Sequence, residues 1–468
     1  MNREILRLAA LLIAFACVAS GCTSPNSAAS TDRCGLSGAS TVGADRSERP
    51  NVLIIVTDDQ RSYDSLKVMP QTRQWFARGG TRFINAFSTT PLCCPARASI
   101  MTGRYSHNTG VLRNQRGGDL DTTTTLQAYL SNAGYRTAIA GKYLQGLTLD
   151  IDPPHFDRWA TFKWRYFDAT FNLDGQAVRT NGYSTDYVAS RAVCFLRDFE
   201  RTDGDPWFLY LAPFAPHTPY QPEPAYADAK TPKWKRNPSF FEGANGRPPF
   251  LDRHRLTWPR ARSVHRRQLR TLMSVDDLVG RVFRTMNELK EGRDTLAFFM
   301  SDNGLLLGEH RLYAKRLPYT PSIKVPLLMR WPKRVPAGRV DSRLAANVDI
   351  APTVLSAARL APSDGAPLDG RSLINGGMRR RLFLEQWDNY KRNLRSWASI
   401  RTRRYQYIEY YNRDENKIIF RQFYDLRDDP FQRRDLLHDR KRSNDPRNIS
   451  QLRSAMTVYR TCSGVGCR

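Results

Sequence analysis

Four short runs in the chain carry almost nothing but apolar, β-branched or aromatic side chains: NVLIIVT (51–57), WFLYLAPF (207–214), LAFFMS (296–301) and VPLLMRW (325–331). A strand with one face in water alternates polar and apolar residues, because successive side chains point to opposite faces. Runs without that alternation belong to strands buried on both faces, as in a sheet covered by helices on each side. Between them lie segments with apolar residues at helical spacing: MPQTRQWFARG (69–79), TLQAYLSNAG (125–134), DYVASRAVCFLRDF (186–199) and VDDLVGRVFRTMNELK (275–290). Strands and amphipathic helices in alternation predict an α/β fold, a sheet sandwiched between helices.

After about residue 370 the texture changes. ASIRTRRYQYIEYY (398–411) and IIFRQFYDL (418–426) are aromatic and alternating, which predicts a smaller C-terminal α+β subdomain with an antiparallel sheet. The expected organisation is a catalytic domain over 51–365 and a second subdomain over 366–468. No internal repeat is evident.

The first residues are not part of this fold. Arg3 and Arg7 precede an apolar run from Leu8 to Val18 and then VASGC, the layout of an export signal over 1–22. The segment ASGC resembles a bacterial lipobox, which would make Cys22 a lipid-bearing N-terminus and attach the protein to a membrane. The expected location is therefore outside the cytoplasm, as a cell-surface lipoprotein or a secreted or periplasmic protein. Residues 23–50, rich in Ser, Thr, Ala and Gly, read as a flexible tether. In an oxidising compartment Cys462 and Cys467, in CSGVGC, are expected to pair; Cys34 and Cys194 have no evident partner.

The formal charge is +27 over 468 residues. Such a field favours anionic partners, although a basic solvated surface is the plainer reading. The Arg-rich stretches RARSVHRRQLR (260–270) and MRRRL (378–382) carry no zinc-finger, RNP or helix-turn-helix signature, so nucleic acid is not expected.

The chemistry concentrates at strand ends. The first run closes in Asp58-Asp59 and the run 296–301 in Asp302-Asn303. Open α/β sheets place ligands at the carboxyl ends of their strands. Three carboxylates and an amide oxygen at one rim form an all-oxygen site for a hard cation, Ca²⁺ or Mg²⁺. The alternative for each motif alone is a polar turn. A third feature is PLCCPARASIMTGR (91–104), in which Pro95 and Gly103 bracket a short predicted helix over 96–102. Cys93 and Cys94 then sit at its N-terminus, where anions are favoured, and Arg97 lies one turn in. These cysteines could be an activated thiolate or simply two buried small side chains.

CCPARASIMTGR resembles the C-x-P-[SA]-R…TG signature of the sulfatase family. TDDQ (57–60), AGKYL (140–144), APHTPY (215–220), SDNG (301–304), GEHRLYAKR (308–316), IKVPLL (323–328), VDIAPTVL (348–355) and LDGRSL (368–373) are similar to further family blocks in the same order. The resemblance runs from about Asn51 to Asp435 and is closest to the branch containing N-acetylglucosamine-6-sulfatases. It implies an alkaline-phosphatase-like fold with a mixed, mostly parallel sheet. It also implies a sulfuric ester hydrolase acting on a sulfated sugar or glycosaminoglycan-like substrate. Cys93 would be oxidised to formylglycine by a maturation enzyme and act as the nucleophile. Asp58, Asp59, Asp302, Asn303 and modified Cys93 would bind the cation, usually Ca²⁺. Arg97 would hold the formylglycine hydrate, Lys142 and Lys315 the sulfate oxygens, and His217 the bridging oxygen.

Three positions depart from the family pattern. Leu144 replaces a second histidine, a trait shared with the glucosamine-6-sulfatase branch; Ala96 replaces the commoner serine; Thr320 stands where relatives often carry an acid. The roles of His107 and His310 stay open between site and local turn. Competing readings are a phosphodiesterase or phosphonate hydrolase of the same superfamily, a non-catalytic polyanion-binding lipoprotein, and a thiol enzyme using Cys93 unmodified.

Overall fold

The computed structural model describes residues 49–468 other than 63, 202–203, 241–246, 252–255 and 388–393. The expected export signal, Cys22, Cys34 and nearly all of the tether lie outside the described residues. No helix among the described residues is long and apolar enough to cross a membrane.

A ten-stranded sheet forms the centre, in the order Arg339–Ala346, Thr81–Phe87, Leu327–Arg330, Thr295–Ser301, Asn51–Thr57, Trp207–Ala212, Arg136–Gly141, Arg158–Phe162, Thr170–Leu173 and Gln176–Arg179. Asn51–Thr57 pairs in parallel with both neighbours, and so does Arg136–Gly141. Leu327–Arg330 runs antiparallel to both of its neighbours, and Thr170–Leu173 is reversed at the far edge. The expected mixed, mostly parallel α/β sheet is borne out. VPLLMRW is a strand like the other three runs, but a reversed one. Burial on both faces says nothing about direction.

The unbroken apolar runs split by parity. Val52, Ile54 and Val56 face the helices Cys93–Thr102, Leu126–Asn132 and Ile350–Ala358, in one cluster with Phe208, Tyr210, Phe298 and Met300. Leu53 and Ile55 face the helices Ser184–Phe199 and Trp258–Glu288, with Leu209, Leu211, Ala297 and Phe299. Each such side chain, fully buried, contributes roughly 1.5–3 kcal/mol.

The helix expected over 275–290 is the second half of a 31-residue helix, Trp258–Glu288. Its first half is the Arg-rich stretch, whose buried Ala261, His265, Gln268, Leu269 and Leu272 keep a helical period among exposed arginines. A second antiparallel sheet runs Leu382–Gln386, Trp397–Arg401, Tyr405–Tyr411, Ile418–Asp425 as a meander, as the aromatic pattern predicts. Its Phe383, Trp397, Tyr407 and Tyr410 share one core with Phe87, Tyr105, Tyr319 and Ile323 of the main body. Cys462 and Cys467 are disulfide-bonded, as expected from their spacing. Cys194 is also disulfide-bonded, although the sequence offers it no evident partner.

Candidate active site

Four adjacent parallel strands end at one rim, and a fifth, Thr81–Phe87, ends there beyond the reversed Leu327–Arg330. Thr57 leads into Asp58-Asp59, Ser301 into Asp302-Asn303, Gly141 into Lys142 and Ala212 into the loop bearing His217. The strand Thr81–Phe87 leads there into the helix Cys93–Thr102. Thr57 and Ser301 are register partners, and the Asp302 amide donates to the Thr57 carbonyl (3.1 Å), so the two acidic pairs leave the sheet side by side. Gly141 has φ +114°, and a Cβ there would lie 2.1 Å from the Ala212 carbonyl oxygen. Only glycine lets this strand close on its neighbour and deliver Lys142 to the rim.

The cysteine helix begins at Cys93, three residues earlier than the proline suggests, and Pro95 occupies its third position. The first turn has no intrahelical acceptor for its amides, so a proline costs nothing there. The Cys94 amide instead donates to the Asn114 side chain (3.0 Å). Gly103 closes the helix at φ 69°, as expected.

The side chains converge on the Cys93 sulfur. It lies 3.4 Å from Asp58 Oδ1, and Lys315 Nζ approaches it to 2.6 Å. Lys142 pairs with Asp58, and Lys315 also pairs with Asp59. Arg97, fully buried, donates from Nε to Asp302 Oδ2 (3.0 Å) and from a terminal nitrogen to the Lys142 carbonyl (3.1 Å). His217 Nε2 stands 3.7 Å from Asp59 Oδ2, and its Nδ1 bonds the Thr218 carbonyl at 2.8 Å. Ligand atoms of Asp58, Asp59, Cys93 and His217 all lie within 4.8 Å of one another.

Electrostatics follow from burial and this pairing. Burial would raise Asp58, but Lys142, His217, Arg97 and Lys315 hold it well below the usual carboxylate range. Asp302 is pushed up by burial and by Asp58, against Arg97. Burial opposes charge on Lys142 and Lys315, yet Asp58 and Asp59 respectively raise them. Burial and Asp58 push the Cys93 thiol up, and burial takes Cys94 to about 12. An unmodified Cys93 is therefore a neutral thiol, which disfavours the thiol-enzyme reading.

The donor set fits a hard cation. Asn303 donates from Nδ2 to Asp59 Oδ1 (2.6 Å), which leaves Asn303 Oδ1 buried without a hydrogen-bond partner beside three carboxylates. A buried amide oxygen without a donor, next to carboxylates, is a ligand type that a hard cation takes up.

Outside this cluster, His107 hydrogen-bonds Glu385 and the Cys462 carbonyl (both 3.0 Å), tying the C-terminal sheet to the main body. His310 is buried, stacks on Tyr319 at 4.5 Å, and is lowered by burial to about 4. Neither histidine belongs to the rim. Thr320 is held internally by Gln432 and Arg401.

Several residues of the site carry no evident signal in the sequence. A cleft of about 520 Å³ leads to Asp59, Lys315 and His217 past Asn114, Gln115, Trp164 and Tyr313. Trp164 is 43% exposed, and Lys142 Nζ lies 5.3 Å from its ring centroid. An exposed tryptophan in a loop is the one hint the sequence could offer.

The sulfatase family model matches residues 50–360 of the chain. The chain belongs to the sulfatase family. A second family model, N-sulphoglucosamine sulphohydrolase, C-terminal, matches residues 308–458. Among sulfatases, an extracellular sulfatase SULF-1 homolog of Drosophila melanogaster is 34% identical over 361 residues, which cover 70% of this chain and 31% of that relative. The chain thus spans about a third of that relative's length. The N-acetylglucosamine-6-sulfatase of Homo sapiens is 29% identical over 483 residues, covering 90% of this chain and 86% of that one. A solved protein in complex with its substrate D-glucosamine-2-N,6-O-disulfate matches with a TM-score of 0.74 at 24% identity, covering 88% and 97% of the two chains. At that identity the match speaks for the fold.

Proposed function

We propose that the protein is an exported sulfatase that hydrolyses a sulfate monoester on a sugar or glycosaminoglycan-like substrate. The observation that carries this reading is the surrounding of Cys93: fully buried, at the start of a helix, between Asp58 and Lys315. The relatives named N-acetylglucosamine-6-sulfatase support a sulfated amino sugar as substrate.

In this reading Asp58, Asp59, Asp302, Asn303 and modified residue 93 hold Ca²⁺. When bound, the ion offsets charge on the sulfuryl group and lowers the pKa of the attacking hydroxyl. Formylglycine at position 93 would supply, as its hydrate, one hydroxyl as nucleophile toward sulfur and a second whose loss of a proton re-forms the aldehyde as the C–O bond to sulfate breaks. Arg97 orients this residue from inside the helix while its charge is neutralised by Asp302 (3.0 Å). Lys142 and Lys315 present two fixed ammonium groups to the sulfate oxygens, in a buried setting where charge is worth most. His217 Nδ1–H donates to the Thr218 carbonyl (2.8 Å) and turns Nε2 toward Asp59; as general acid the ring would act from its doubly protonated form, giving the Nε2 proton to the leaving oxygen.

The test is mass spectrometry of the Cys93 peptide from protein made in its native host, beside paired assays with an aryl sulfate and an aryl phosphodiester. An aldehyde at 93 with preferred sulfate turnover supports the proposal. An intact thiol in active protein, or preferred phosphodiester turnover, sinks it.

A further inference from the structure

A strongly basic face of the molecule adjoins the cleft and takes no part in the chemistry described above. From Ala229 to Phe240 and from Trp258 to Val275 the chain contains nine Lys and Arg residues and no acid. The fold brings the two stretches together. Trp234 stacks on His265 at 4.3 Å and on Trp258 at 5.1 Å, and meets Phe240 edge-on at 4.9 Å. Burial and Arg61 lower His265 to about 3, so this aromatic stack is uncharged. It mounts the loop carrying Lys233 and Lys235 against the arginine-bearing half of the helix Trp258–Glu288. Lys233, Lys235, Arg260, Arg262, Arg266 and Arg267 are exposed and have no ion-pair partner among the described residues.

This face is joined to the active site. Trp234 and Val264 pack on a cluster of Tyr220, Leu305 and Leu307, together with Tyr313. Tyr220 and Tyr313 line the cleft and meet through their hydroxyls at 3.1 Å. Arg61, two residues beyond Asp59, lies 5.3 Å from the Trp234 ring centroid. On the helix, Arg260 and Arg267 lie four residues before and three after Val264, so they share the edge that faces the cleft. They are about 10 Å apart along the axis.

We propose that this face is an exosite that binds the flanking anionic groups of a linear sulfated or carboxylated polysaccharide while one ester occupies the cleft. Its catalytic consequence rests on the sulfatase reading, but its binding does not. A row of unpaired cations on a rigid helix suits a polymer with regularly repeated charge. Its continuity with a cleft that already presents two lysines to an anion favours a polysaccharide over nucleic acid or lipid.

The experiment compares two triple variants of the full-length protein. K233Q/K235Q/R267Q removes three charges from the proposed exosite. R82Q/R380Q/R403Q removes three exposed charges near the amino-terminal start of the edge strands, at the opposite rim of the sheet. The probes are fluorescein-labelled heparin and a labelled DNA duplex of matched charge, titrated at fixed salt, with aryl sulfate turnover measured in parallel. The expected result is a Kd for heparin raised about tenfold in the first variant and under about twofold in the second, with aryl sulfate kinetics unchanged in both. Equal losses in the two variants would show whole-molecule charge and overturn the proposal. So would DNA binding as tight as heparin binding with the same dependence on the first set. If the wild type turns over no aryl sulfate, the sulfatase reading fails, and the heparin comparison still decides the exosite.

Discussion

The Lys315 ammonium lies 2.6 Å from the Cys93 sulfur, across 222 residues of sequence. Its neighbours explain how a loop lysine is held there. The Arg316 amide donates to the Pro91 carbonyl (3.2 Å), and Trp397 Nε1 donates to the Arg316 carbonyl (2.9 Å). Ala314 and Arg316, on either side of the lysine, have φ of 75° and 77°. Non-glycine residues in that region are strained by about 1–3 kcal/mol each, and such strain persists only where surrounding contacts over-determine it. The C-terminal sheet, through Trp397, therefore helps to fix a cation of the candidate active site.

Lys315→Ala should lower kcat on an aryl sulfate by about 10²- to 10³-fold, as loss of one preorganised charge-stabilising group does. Trp397→Phe keeps an aromatic ring but loses the pyrrole half of the indole and with it the N–H to the Arg316 carbonyl, and should lower kcat about tenfold with KM nearly unchanged. Steady-state kinetics check both. A Trp397→Phe variant with a lower Tm but wild-type kcat would show that Trp397 only packs.

The two adjacent cysteines should behave oppositely. Cys93→Ser should reduce turnover by about 10³-fold or more, because serine cannot form the aldehyde hydrate. Cys94→Ser should retain activity within a fewfold, since its sulfur makes one polar contact, with the Gln145 carbonyl at 3.6 Å, and otherwise packs in the apolar core. Initial rates and peptide mass spectra of both variants decide this.

Calcium should raise the Tm of the wild type, and a chelator should reverse the shift. Asn303→Ala removes the orphaned amide oxygen and should weaken calcium affinity about 10- to 100-fold. Calorimetric titration of chelator-treated protein reads this without reference to activity. Unchanged affinity would remove Asn303 from the ligand set.

His107 gives a pH signature. Burial opposes its protonation, but Glu385 outweighs that and raises it to about 9 from an ordinary 6.5. A folded-state value above the unfolded one stabilises fully below about pH 6.5, and the contribution is lost as pH rises through about 9. His107→Gln should therefore cost about 2–3 kcal/mol at pH 6 and much less at pH 9.5. Urea unfolding of both proteins across this range measures the difference, and a pH-independent gap would exclude the pair as its source.

Much of the site is written in local sequence. Asp58-Asp59 and Asp302-Asn303 could be placed because each follows an apolar run, and a buried strand ends where polar residues begin. The cysteine helix was legible from Pro95 and Gly103, apart from its first turn. The Asn114 side chain that meets the Cys94 amide comes from a separate helical turn 20 residues on, so the local pattern gives no sign of it. Trp164, Tyr313 and the anchoring role of Trp397 depend on which loops fold over the rim, and local periodicity holds no information about that.

The sequence by itself determined the layers, the strand ends bearing charge and the helix presenting Cys93. Those depend on burial period and capping, which act over a few residues. Only the tertiary structure decided the reversal of Leu327–Arg330, the approach of Lys315 to Cys93 and the stacking of Trp234 on His265. Each depends on contacts between segments far apart in the chain, where packing selects among arrangements that local preference leaves equal.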